Sequence, residues 1–156
     1  MPLIVERNKQ ASYNSSYIAS RMLVDNDKMF ASNYPKPHIT FAHMDGDQMT
    51  VQKVTVRVPQ NTKTGVYPLG EGLVFLADTL QAFEIANIFR NFELQHYTAW
   101  KEQRIKDPRP LRSFEPVAFF QLDANQTITF DIDFQRPSKY ILIMPTAFRK
   151  KPVKLS

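Results

Sequence analysis

The chain has 156 residues, 43% of them apolar and 12% aromatic, enough for one domain whose core needs no covalent staples. It contains no cysteine, which excludes disulfides, thiolate metal sites and cysteine nucleophiles and favours an intracellular setting. The net charge is +5, from 20 Lys and Arg against 15 Asp and Glu, and part of the excess lies in a C-terminal tail carrying Arg149, Lys150, Lys151 and Lys154.

A basic balance invites a nucleic-acid reading. The charges elsewhere are dispersed and no RNA- or DNA-binding motif occurs, so residues 149–156 read as a solvated basic tail and nucleic acid is not the expected partner. No apolar run approaches the ~20 residues of a membrane span. The N-terminus, Met1 to Gln10, lacks the basic-then-apolar layout of a signal peptide, and a cytoplasmic protein is expected. Two N-x-S/T triplets, at Asn14 and Asn125, matter only in a secreted chain.

In chain order, Leu3, Ile4 and Val5 predict a short strand. Ile18, Ala19, Met22, Leu23 and Val24 are spaced like one or two helical turns. They lead into an acidic turn, Asp25-Asn26-Asp27, followed by Lys28, Phe30 and the proline-broken loop Tyr34-Pro35-Lys36-Pro37. Residues 38–44 alternate like a strand, and Asp45-Gly46-Asp47 is a hairpin signal because glycine tolerates the positive φ of tight turns. A strand over 49–59 follows, with Val54, Val56 and Val58 on one face. Gly65, Gly70 and Gly72 then mark a loop over 60–72.

Leu73-Val74-Phe75-Leu76-Ala77 reads as a buried strand, and Asp78-Thr79 as a turn. Phe83, Ile85 and Asn87 alternate with Glu84 and Ala86, predicting a further strand. Residues 91–116 stand apart as an insertion: Leu94, Tyr97, Lys101 and Ile105 predict a short helix ended by Pro108 and Pro110, with Trp100 set among arginines and lysines. Strand patterns return over 117–122, at Ile128, Phe130, Ile132 and Phe134, and over 140–144, with a turn at Arg136-Pro137-Ser138. The expectation is an all-β, antiparallel β-sandwich or jelly roll with a short helical insertion, as a single domain over 1–156.

This order of features resembles the galactose-binding-domain-like superfamily, which includes discoidin domains, carbohydrate-binding modules and the DOC domain of the anaphase-promoting complex. The residues that carry the resemblance are the lead-in Tyr17 to Leu23, the acidic turn Asp25-Asn26-Asp27, the step Met29-Phe30-Ala31-Ser32, the strand from Val51 to Pro59, and a closing strand, Phe134 with Lys139-Tyr140-Ile141-Leu142-Ile143 and Pro145. Asn26 and Ala31 stand where the family usually has Gly and Trp, which turns the resemblance away from sugar stacking. No acidic residue follows the last strand, so the calcium site of some relatives is incomplete. The DOC-like branch implies a non-catalytic intracellular protein-recognition module, an accessory domain of a larger assembly such as a ubiquitin ligase. The alternative is a carbohydrate-binding module using the same loop crest.

The candidate partner-binding residues are Asp25, Asn26, Asp27, Lys28, Phe30, Asp78 and Trp100. Each has a plain reading beside the functional one. Asx residues form ordinary turns, and three in a row cannot supply the six to eight oxygens Ca²⁺ takes. Phe30 also reads as a packing aromatic. Trp100 reads either as an interface anchor or as the residue that tacks the inserted helix onto the sheet. His38 and His43 lack further ligands for a metal, and His96 is isolated. A Ser32–His38–Asp45 triad exists on paper only, since no nucleophile-elbow glycines surround the serine. No catalytic residue, metal or cofactor is therefore assigned.

Overall fold

A computed structural model describes residues 3–8, 39–43, 46–57, 69–122 and 127–148. The described strands lie in one five-stranded sheet and two two-stranded ribbons, all with antiparallel neighbours. The sheet has the order β1-β2-β9-β5-β6, built from β1 (Leu3–Asn8), β2 (Ile39–His43), β9 (Tyr140–Phe148), β5 (Leu69–Ala77) and β6 (Ala118–Gln121). One ribbon pairs β3 (Met49–Thr50) with β8 (Pro137–Ser138), the other β4 (Lys53–Arg57) with β7 (Thr127–Asp131). A bond from the Ile132 amide to the Gln52 carbonyl extends the β4–β7 ribbon by one step.

The central strand β5 explains the architecture. Leu73, Val74, Phe75, Leu76 and Ala77 are all buried, so both faces of this strand are covered. Period two divides them. Val74 and Leu76, with Ile39, Phe41, Ile141 and Ile143, form a core closed by Val54, Val56, Ile128 and Phe130 of the ribbons. Leu73, Phe75 and Ala77, with Leu142 and Met144, form a second core against the helical segment. Ribbon, sheet and helices thus make three layers, and an unbroken apolar run is what a strand covered on both faces requires.

Gly72 is needed where β5 meets β6 and β9. A Cβ there would lie 2.7 Å from Cε1 of the Phe120 ring and 3.1 Å from the Met144 carbonyl oxygen. Pro145 is tolerated within β9 because the β2 pairing ends at Ile143, facing Ile39, and the β5 pairing shifts register beside it.

Several expectations need correction. The loop expected over 60–72 stops short of Leu69, because β5 takes in Gly70 and Gly72, and the strand read through Ile132 and Phe134 ends at Asp131. Residues 82–89 are not a strand: α1 (Ala82–Ile85) runs directly into a 3₁₀ turn (Ala86–Phe89). Ala82, Phe83, Ala86 and Phe89 are buried at helical spacing, whereas Ile85, which a strand would bury with Phe83, is 50% exposed. The two alanines let the helix approach the sheet closely and are strong helix formers. Gly46 does turn with φ +75, yet no hairpin results. Both edges of β2 are taken, by β1 and β9, so β3 pairs with β8 instead. The strand expected over 49–59 is broken at Val51-Gln52 into β3 and β4, with residues 58–59 outside the described set. The Pro137-Ser138 turn is strand β8.

The inserted helix is present as α2 (Leu94–Lys106), but Leu94 and Ile105 face solvent and Tyr97 is its buried residue. The expected helical turns at Ile18–Val24 lie outside the described residues.

Candidate functional site

Of the sequence-derived candidates, Asp25, Asn26, Asp27, Lys28 and Phe30 lie outside the described residues, as do Ser32, His38, Asp45 and the basic tail at 149–156. Asp78 and Trp100 are described, and both are engaged within the domain. Asp78 directly follows β5, and its Oδ1 accepts bonds from Gln48 Nε2 at 3.0 Å and from the Lys139 amide at 3.2 Å. It ties the 46–48 segment to the start of β9.

Trp100 is half-buried, stacked on Tyr97 with ring centroids 5.7 Å apart and edge-on to Phe134 at 5.4 Å. The same helix face carries a polar anchor. Tyr97 donates its hydroxyl to Asp133 Oδ2 at 2.7 Å, and Lys101 Nζ donates to Asp133 Oδ1 at 2.9 Å. The Asp133 amide donates in turn to the Val117 carbonyl. Burial pushes the Tyr97 phenol far above its ordinary range, and the Asp133 hydrogen bond and charge push it further. Tyr97, Trp100 and Lys101 at i, i+3 and i+4 are therefore the face by which α2 docks.

Beyond α2 a second polar cluster holds the segment that leads into β6. Glu115 is buried and takes a bidentate pair from Arg109 at 2.7 and 3.1 Å, plus the Arg112 amide at 3.2 Å. Burial alone would raise its carboxyl, but the Arg109 and Arg112 hydrogen bonds and the charges of Arg109 and Arg104 outweigh it and hold the group below the usual range. Arg136 donates to the carbonyls of Leu111, Leu76 and Arg112, and burial lowers its guanidinium. These arginines are committed to scaffold contacts.

Among the described residues, a groove of about 640 Å³ opens at one end of the sheet. Its sheet wall consists of Glu71 on β5, Gln121 on β6, and Thr146 and Ala147 on β9. Pairing brings them together, since Glu71 faces Gln121 on one side and Ala147 on the other. Register shifts on both sides of Glu71 set it apart from the regular ladder, as bulges do where a side chain is re-aimed. The helix wall consists of Asn91, Phe92, Glu93, Leu94 and Gln95, where the chain enters α2.

This wall is also fixed. Phe92 lies edge-on to Phe89 at 4.9 Å, and the Glu93 amide donates to His96 Nδ1 at 3.0 Å. Gln121 Nε2 donates to Glu71 Oε1 at 2.8 Å across the sheet wall. Thr146 is buried, and its hydroxyl has no partner. Two carboxylates, three amides, a hydroxyl and one aromatic ring therefore meet on rigid elements, an arrangement suited to hydrogen-bonding a ligand.

Sequence reasoning missed the groove. Its residues come from four separate stretches, and its polar members taken singly are ordinary residues at the ends of elements. The signal was the polar ending of three buried strands, which becomes a wall only once their register is known.

Among the described residues no group of three or more His, Cys, Asp or Glu is arranged to hold a metal, and no helix is long and apolar enough to cross a membrane. In comparisons with known proteins, the chain matches no protein-family model and no curated protein.

Proposed function

We propose that the domain is a non-catalytic protein-recognition module with a galactose-binding-like jelly roll, working inside the cell as an accessory domain of a larger assembly such as a ubiquitin ligase. The groove between the end of the β5–β6–β9 sheet and the start of α2 carries this reading. Its walls are held by strand pairing, by the Phe89–Phe92 contact and by the capped start of α2, so it presents hydrogen-bonding groups without having to be ordered on binding. Four large apolar side chains left exposed on the helical layer, Ile85, Ile88, Leu94 and Ile105, supply apolar contact area for a protein surface. The DOC-like resemblance of the sequence points the same way.

Carbohydrate is the second reading, favoured by the amides of Asn91, Gln95 and Gln121 beside the Phe92 ring. One pair of experiments separates the two. The full chain and a Glu71→Ala, Gln95→Ala variant are used for affinity capture from cytosolic lysate, and both are applied to a glycan array. The proposal expects a protein captured by the wild type and lost with the variant, then shown to bind directly once purified. Unchanged capture by the variant would remove the groove as the site. Glycan binding lost in the variant, without a protein partner, would establish the second reading.

A further inference from the structure

Resting on the protein-recognition reading, we propose that this groove receives an arginine side chain from the partner. Its lining contains two carboxylates, Glu71 on the sheet wall and Glu93 on the helix wall, and no lysine or arginine. In a chain with a net charge of +5, such a locally acidic groove attracts a cation and repels an anion.

Alongside the N–H groups of Asn91, Gln95 and Gln121, acceptors remain on the sheet wall. Gln121 spends an amide N–H on Glu71 Oε1, leaving the second Glu71 oxygen and the Gln121 amide oxygen as acceptors. Thr146, 6% exposed, adds an unpartnered hydroxyl at the same wall. A guanidinium is the side chain that matches such a set. It is planar, always charged, and offers five N–H donors in a fixed fork, while a lysine ammonium offers three on a single point. Phe92, held edge-on by Phe89, provides a ring on which the guanidinium can stack.

Neutral sugar hydroxyls can also donate to the two carboxylates, but they bring no positive charge to balance them, as a guanidinium does. The charge balance therefore favours the cation.

The test uses the ¹⁵N-labelled full chain and three short peptides, Gly-Gly-Arg-Gly-Gly, its lysine counterpart, and its citrulline counterpart, which keeps the shape and removes the charge. Amide shifts are followed in titrations at low salt. The arginine peptide should shift the amides of Glu71, Gln121, Thr146 and Gln95 and bind at least about tenfold more tightly than the citrulline peptide. Glu71→Gln, which keeps an oxygen to accept from Gln121, should reduce that difference severalfold while leaving the rest of the spectrum in place, and an unchanged difference would overturn the proposal. Equal binding of arginine and citrulline peptides would overturn the proposal, as would the absence of groove shifts at millimolar peptide. Lysine binding as tightly as arginine would overturn the assignment to a guanidinium. A partner that is lost with the groove variant, while no arginine peptide binds, would leave the recognition reading standing and this inference refuted.

Discussion

Tyr97 shows how much one side chain can connect in this domain. It is 4% exposed, its ring stacks between Trp100 and Phe119, and its hydroxyl reaches Asp133. Tyr97→Phe keeps the packing and removes one hydrogen bond to a charged acceptor, so urea denaturation should show a loss of about 1.5–3 kcal/mol. A loss near zero would mean that Lys101 alone satisfies Asp133. The phenol has a pH consequence as well. Its folded pKa lies above the unfolded value of about 10. Stability from this group is thus fully present below that pH and is lost as pH rises beyond it, because only the unfolded chain then releases the proton. Ultraviolet titration of the wild type against Tyr97→Phe should show the Tyr97 phenol failing to ionise until the protein unfolds.

Among the elements, the inserted helix is the one whose role the structure redefines. Trp100 lies against Tyr97 and Phe134 on the docked face of α2, which matches the tacking role read beside the anchor role in the sequence. Trp100→Ala should cost about 2 kcal/mol, less than for a fully buried aromatic, and should speed hydrogen exchange along α2. A variant of unchanged stability that had lost a partner would restore the interface role. The strands β5 and β9 were legible because a run covered on both faces must be apolar throughout. Residues 82–89 were not, since they hold a period of two at Phe83, Ile85 and Asn87 and a helical one at Ala82, Phe83, Ala86 and Phe89. Only the burial of Ala82, Ala86 and Phe89 separates the two. The hairpin signal at Gly46 was locally right and globally misleading. A turn residue fixes a change of direction, whereas strand pairing depends on which edges are free.

For the whole molecule, most sheet contacts join residues far apart in the chain: β2 with β9, β5 with β9, β4 with β7. The groove arises at this scale. Glu71, Asn91–Gln95, Gln121 and Thr146 meet only when β5, β6 and β9 are in register and α2 is docked. No local pattern in the sequence encodes that meeting, whereas the acidic turn at 25–27 is a local pattern and stands out for that reason. The central claim is that the domain recognises a protein through this groove. Its most direct test is a hydrogen-exchange footprint of the full chain alone and in complex with a captured, purified partner. The prediction is added protection at residues 91–95 and at the strand ends around Glu71, Gln121 and Thr146. Protection confined to other surfaces, such as the exposed Ile85 and Ile88, with the groove unchanged, would contradict it.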